Sequence, residues 1–210
     1  MIEFYFDCSS PWTFIAFKNL QPMAEELGVQ VEWKPVLVGG IFNTVNPGAY
    51  AAREDMNSAK NRYILKDVQD NARESDLKIV FPPKVFPVNS VKAMRGCLWI
   101  AQDADAKPHF LAFVEAVFSA YFSREEDISN DAVLTDICRA CGIDDVAFHA
   151  GITQPAIKAA LKANTDEAIA RGAFGAPTIF VGDDMYFGND RLALVRSAVL
   201  RSQAAAQTPA

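Results

Sequence analysis

Apolar residues recur along this chain with two different periods, and the changes of period divide it into three parts. Residues 2–6 (IEFYF) are a short run of aromatic and β-branched side chains, the pattern of a strand. After Asp7-Cys8-Ser9-Ser10-Pro11 the spacing becomes helical, through Trp12, Ile15, Ala16 and Leu20. Ser10 suits a helix start because its oxygen can accept a free first-turn N–H. Pro11 suits the first helical position because it has no N–H to satisfy. This helix is predicted to kink near Pro22 and to end at Gly28. Val29 to Leu37 (VQVEWKPVL) alternates again, as a second strand. A right-handed crossover makes the two strands parallel.

From about Gly39 to Gly172 the pattern is helical with loops. Asn57 to Ser75 is polar and helix-compatible, and Ser90 to Ala104 reads as a helix. Between them, Phe81 to Asn89 (FPPKVFPVN) holds three prolines and is expected to be an extended, rigid loop. In Pro108 to Phe122, the residues Phe110, Phe113, Val114, Val117, Phe118 and Tyr121 fall at helix spacing, which marks a face packed into the core. Asp131 to Cys141 and Gln154 to Arg171 are further helices, stopped by Gly142 and Gly172. Strands then return. Thr178 to Val181 and Met185 to Phe187 flank Gly182-Asp183-Asp184, a hairpin signal. Asn189-Asp190 caps a last helix, Arg191 to Leu200, and Ser202 to Ala210 reads as a frayed tail. The order β-α-β, helices, β-β-α predicts one α/β domain split by a helical insertion. Its parts are 1–38 and 173–203, with 39–172 as the insertion and 204–210 as the tail.

Composition narrows the function. The chain has 210 residues, half of them hydrophobic, enough for one sizeable core. No apolar run reaches the ~20 residues needed to span a bilayer. A formal net charge of −6 without a Lys/Arg cluster argues against nucleic acid and membrane partners. No basic segment precedes an apolar stretch near Met1, so a cytoplasmic protein is expected, and its four cysteines are not expected to form a disulfide framework. His109 and His149 belong to no Cys/His cluster, so no metal is expected. Cys138-x-x-Cys141 ends a helix inside the insertion, without a second Cys/His pair, and reads as structural; Cys97 reads as a core residue.

Three short steps carry the candidate chemistry: the helix start at Ser10, Gly175-Ala176-Pro177, and Gly188-Asn189-Asp190. Their arrangement resembles the thioredoxin fold, in which disulfide oxidoreductases carry Cys-Pro-x-Cys at the first helix. Here that slot holds Ser10-Pro11-Trp12-Thr13, so dithiol exchange has no attacking or resolving thiol. Cys8 lies in the preceding loop and has no partner three residues away. The fold also implies a cis peptide at Pro177, with the Ala176 N–H and C=O free to pair with a peptide-shaped ligand.

The resemblance extends over nearly the whole chain to the 2-hydroxychromene-2-carboxylate isomerases and the kappa-class glutathione transferases, and to the isomerase branch most closely. It is carried by FDCSSPWTFIAF, PVLVGGIFN with a later Asn-Pro, Lys60 to Tyr63, FPVNSVKAMRG, and the long segment GAFGAPTIFVGDDMYFGNDRL. It implies glutathione as cofactor, an aromatic small-molecule substrate and a homodimer. It further implies that Ser10 bonds the glutathione sulfur and that Asn46 and Lys60 hold the glycine end. Ala176, before Pro177, would pair with the cysteinyl part, while Asn189 and Asp190 hold the γ-glutamyl head, Asp190 taking the ammonium. Cys8 and Ser9 depart from the family pattern, which bears on the substrate mouth. Trp12 and Phe42 are candidates for an aromatic substrate wall, although either could serve packing alone. Two other functions fit the same residues: a kappa-like transferase or peroxidase, and a non-catalytic glutathione- or peptide-binding module.

Overall fold

In the computed structural model, which describes residues 1–51 and 58–207, four strands form one sheet. β1 (Ile2–Phe6) leads through α1 (Pro11–Glu26) to β2 (Val31–Pro35), and β3 (Thr178–Val181) turns into β4 (Asp184–Phe187). The order is β2-β1-β3-β4. β1 runs parallel to β2, with Phe4 opposite Trp33, and antiparallel to β3, with Phe4 opposite Ile179. The α1 helix ends two residues short of Gly28, whose φ of 62° closes the turn.

The strand alternation buries both faces of the sheet. Ile2, Phe4 and Phe6 point into the main core with Ile179 and Val181. Tyr5 and Phe180 point the other way, into a smaller core with Val36, Ile41 and Ala168. On that second face Glu3 is ringed by cations. Lys34 and Arg171 each lie 2.9 Å from its carboxylate, and the Arg171 guanidinium stacks 3.7 Å over the Phe180 ring. Burial works against the Glu3 charge, but the bonds from Lys34 and Arg171 prevail and hold its carboxyl below the usual range.

Between β2 and β3 the described chain is helical: α2 (Val38–Val45), α3 (Gly48–Ala51), α4 (Ala59–Glu74), α5 (Val91–Gln102), α6 (Phe110–Phe118), α7 (Asp131–Ala140), α8 (Asp145–Gly151) and α9 (Pro155–Ala170). Of the predicted helix Asn57 to Ser75, Asn57 lies outside the described residues, and Ser58 caps α4 through the Asn61 N–H. The predicted apolar face of 108–122 is buried throughout, and Phe14 of α1 stacks on Phe118 at 4.8 Å. Its last turn, Ser119–Ser123, widens into a π-helix. Pattern reading did not resolve α2 or α8. Each spans only about two turns; α8 is started by Asp144, whose carboxylate accepts the Val146 and Ala147 N–H groups.

Two boundaries differ from expectation. The expected insertion includes α9, yet α9 covers the second face of the sheet, with Ala168 beside Tyr5, Glu167 paired to Lys34, and Thr165 accepting the Leu37 N–H. The last helix, α10 (Leu192–Gln207), continues seven residues past Leu200 through most of the expected tail. Its final turns are Ala-rich and so favour helix, and Gln203 donates to the Leu27 carbonyl. The remaining tail, 208–210, lies outside the described residues. Among the described residues no helix is long and apolar enough to cross a membrane.

Candidate active site

The site forms where the sheet hands the chain to α1. Ser10 has extended backbone, φ −105° and ψ 121°, and its oxygen accepts the Thr13 N–H at 3.3 Å, so it is the N-cap. Its hydroxyl donates to the Ala176 carbonyl at 3.0 Å. The Ala176–Pro177 bond is cis, as are Phe81–Pro82 and Phe86–Pro87 in the proline-rich loop. The expectation that both polar groups of Ala176 are free is therefore corrected on one side. The carbonyl is engaged by Ser10, whereas the N–H has no partner among the described residues. Gly175 precedes them because a Cβ there would lie 2.9 Å from the Phe187 ring.

Two adjoining cavities meet at this step, sharing Trp12, Ala176 and Phe187. The larger, about 420 Å³, is lined by Ser10, Trp12, Phe42, Asn46, Lys60 and Ala176, with Phe81 and Phe86 closing one wall. The other, about 380 Å³, takes Pro177, Asn189 and Asp190, together with Asp67, Asn71 and Arg191. All nine residues singled out in the sequence thus line one or the other. Asn46 donates to the Phe174 carbonyl at 3.1 Å, which joins the end of α2 to the turn before β3. Asn189 donates to Asn71 at 2.9 Å. Asp190 is paired with its neighbour Arg191 at 2.6 Å. That ion pair is exposed to solvent, and Asp67, across the cavity on α4, is a second acidic group there, accepting from Asn71 Nδ2 at 3.1 Å.

A third cavity, about 340 Å³, opens from the larger one past Ser9, Val38, Phe42 and Phe86, and reaches Asp7 and Tyr121. Asp7 is buried, and its two oxygens accept the N–H groups of Ser9 at 2.9 Å and Val38 at 2.8 Å. It thereby ties the Ser10 loop to the start of α2. Burial raises its pKa, against the pull of those two N–H groups and of Ser90.

Sequence reading missed Asp67, Asn71, Asp7 and Phe86. The first two had a signal, four residues apart on one helix face. Phe86 and Asp7 had none, since only the folded loop brings them to the site. None of the four cysteines lines these three cavities. Cys8 is fully buried beside Cys97, and burial with that neighbour raises its pKa well above normal. Burial pushes Cys138 up to about 12 and raises Cys141 as well.

Comparisons with known proteins agree with this fold. The family model described as a DSBA-like thioredoxin domain matches residues 1–200. A 2-hydroxychromene-2-carboxylate isomerase from Pseudomonas putida is 28% identical over 204 residues, covering 96% of this chain and 95% of the relative. Glutathione S-transferase kappa 1 of Caenorhabditis elegans is 25% identical over 214 residues, covering 96% and 92%. A solved 2-hydroxychromene-2-carboxylate isomerase structure superposes with a TM-score of 0.81 at 27% identity, covering 99% of both chains.

Proposed function

Because the chain belongs to the DsbA-like thioredoxin domain family yet carries a serine in the attacking position, we propose that it is a glutathione-dependent isomerase. Its reaction would interconvert 2-hydroxychromene-2-carboxylate and trans-o-hydroxybenzylidenepyruvate, or a related unsaturated aromatic keto acid. We assign it to the cytoplasm, as a homodimer. The observation that carries the reading is the Ser10 hydroxyl, held between the first turn of α1 and the Ala176 carbonyl where the cavities meet.

The residues present fit glutathione. The unpartnered Ala176 N–H would donate a main-chain hydrogen bond to the cysteinyl part. Asn46 and Lys60 would hold the glycine carboxylate. Arg191 and the turn Asn189–Arg191 would hold the γ-glutamyl carboxylate, and Asp67 its ammonium.

Bound glutathione would supply a thiolate that adds reversibly to the conjugated keto acid, releasing the double-bond character that locks its geometry. Ser10 turns its O–H from the Ala176 carbonyl toward the sulfur while its oxygen keeps the Thr13 N–H. The α1 N-terminus adds its positive end. Moving a thiol pKa from about 8.5 to about 7 takes ~2 kcal/mol. A hydrogen bond to a charged group contributes ~1.5–3 kcal/mol and a helix terminus ~0.3–1 kcal/mol, so the two suffice. Trp12, Phe42 and Phe86 form the apolar walls for the aromatic ring.

Mixing the protein with glutathione and 2-hydroxychromene-2-carboxylate, and following the ultraviolet spectrum, tests the proposal. A glutathione-dependent rate above background is expected, and its absence refutes it. Thioether formation from chlorodinitrobenzene without isomerisation would assign the site to transfer chemistry instead.

A further inference from the structure

The helices α5 and α8 pack too closely for a side chain at two crossing points. A Cβ on Gly96 would lie 2.5 Å from the Phe148 ring, and one on Gly151 would lie 2.3 Å from the Trp99 indole. This contact fixes one face of α5 against the end of α8, and α7 closes a third side. Between them lies a cavity of about 490 Å³, lined by Lys92, Arg95, Asp131, Thr135, His149 and Thr153. None of these residues lines the cavities around Ser10.

Arg95 is the unexplained group in it. Its guanidinium makes no hydrogen bond or ion pair with any described residue, and its Nε is buried. The neighbours are already matched: Lys92, one turn earlier, lies 2.7 Å from Asp131, and Thr135 Oγ1 lies 2.8 Å from His149 Nε2. A cation drawn partly out of water without a partner leaves its desolvation uncompensated. Lys92 and Arg95 against Asp131 leave one net positive charge in the cluster, within a chain of net charge −6.

We propose that this cavity binds a small phosphate-bearing anion, either inorganic phosphate or a phosphomonoester. Arg95 is the anchor, because its planar fork offers two parallel N–H donors to an oxyanion. Lys92 is the second donor. Thr135 is the third: its oxygen takes the His149 Nε2–H and its own proton turns to the anion. Donors from separate helices suit a tetrahedral oxyanion better than a planar carboxylate. Asp131 competes at the rim. Its pair with Lys92 is open to solvent, with side chains 61% and 43% exposed, and such pairs contribute at most ~1 kcal/mol. An incoming anion therefore displaces it at little cost.

Inorganic phosphate titrated into the intact protein at constant ionic strength, followed by amide resonances, tests the site. Saturable shifts are expected around residues 92–96, 131–135 and 149–153, with a dissociation constant on the order of 1 mM. Arg95→Gln is expected to weaken binding by about tenfold, and Asp131→Asn to tighten it by about threefold, the direction set by removing a competing charge. Glycerol 2-phosphate run in parallel separates the sources: tighter binding than inorganic phosphate assigns the cavity to a phosphomonoester, and equal or weaker binding to the inorganic ion. Absence of saturation by both ligands overturns the proposal, as does an unchanged curve for Arg95→Gln. Should that variant not fold, weaker or unchanged binding by Asp131→Asn overturns it.

Discussion

The Ser10 hydroxyl donates to the Ala176 carbonyl at 3.0 Å, joining residues 166 positions apart in the chain. This bond places the serine proton on the cis-proline step, where the two cavities adjoin. The same oxygen caps α1. Ser10 therefore has a structural role and, on the proposed function, a chemical one, so a substitution tests both.

Ser10→Ala removes the cap and the donor together. Loss of the cap is expected to lower stability by about 1 kcal/mol, read by urea unfolding. Loss of the donor is expected to slow turnover by about 10–100-fold at neutral pH, the equivalent of a charged hydrogen bond. Glutathione affinity, measured by calorimetry, should stay within a few-fold, since the peptide-pairing Ala176 N–H is untouched. Unchanged turnover would remove Ser10 from the mechanism.

Asp67 and Asp190 line the same cavity, yet of the two only Asp190 is ion-paired among the described residues, to Arg191 at 2.6 Å. Asp67→Asn is expected to weaken glutathione binding by about tenfold through loss of an ammonium partner. Asp190→Asn is expected to cost less. An analogue lacking the γ-glutamyl ammonium separates charge recognition from general damage: its affinity should be insensitive to Asp67→Asn. An equal loss for both ligands would assign Asp67 a structural role.

Much of this arrangement was legible in the chain because the decisive signals are local. IEFYF, Ser10-Pro11 and the Gly182 hairpin are read from adjacent residues, and their order gives the fold. The misreadings were non-local. The pattern of α9 shows a helix but not which face of the sheet it covers, a matter settled by Glu167 meeting Lys34 across 133 positions. The sequence also does not show that Asp67, far from Asp190 in the chain, lines the same cavity. Asp7 reads as a loop residue in the sequence, and only the fold gives its two oxygens the N–H groups of Ser9 and Val38.

The acidic centre on the second sheet face predicts a pH dependence. The Glu3 pKa is lowered in the fold by Lys34 and Arg171 despite burial. A depressed carboxyl pKa stabilises the fold above the unfolded value, ~4.3, and that stabilisation is lost as pH falls through the lower folded value. Glu3→Gln should therefore lower stability by roughly 1–3 kcal/mol at pH 7. The gap from the parent should narrow below pH ~4. Urea unfolding of both proteins at the two pH values measures it, and a gap independent of pH would contradict the ion-pair account.

Gly151→Ala tests the close approach of α8 to α5. The added methyl would overlap the Trp99 indole, which is itself packed edge-on to Phe148. Overpacking of this kind costs about 1–3 kcal/mol, so thermal stability should fall. Trp99 must move to accommodate it, and tryptophan fluorescence should shift while the Ser10 cavities, built from other residues, keep their glutathione affinity.

The four cysteines predict a slow reaction with thiol reagents. Cys8, Cys97 and Cys138 are buried, and only Cys141 is partly exposed. Burial first, and for Cys8 its contact with Cys97, raises the thiol pKa of Cys8, Cys138 and Cys141, so thiolate is scarce at neutral pH. Ellman's reagent should therefore label at most one thiol in the native protein, slowly, and four after denaturation. Insulin reduction should stay at the background rate, since position 10 offers a hydroxyl and position 13 another. Rapid labelling of Cys8, identified by mass spectrometry, would mean that the loop ahead of α1 opens, and would return a thiol of this chain to the mechanism.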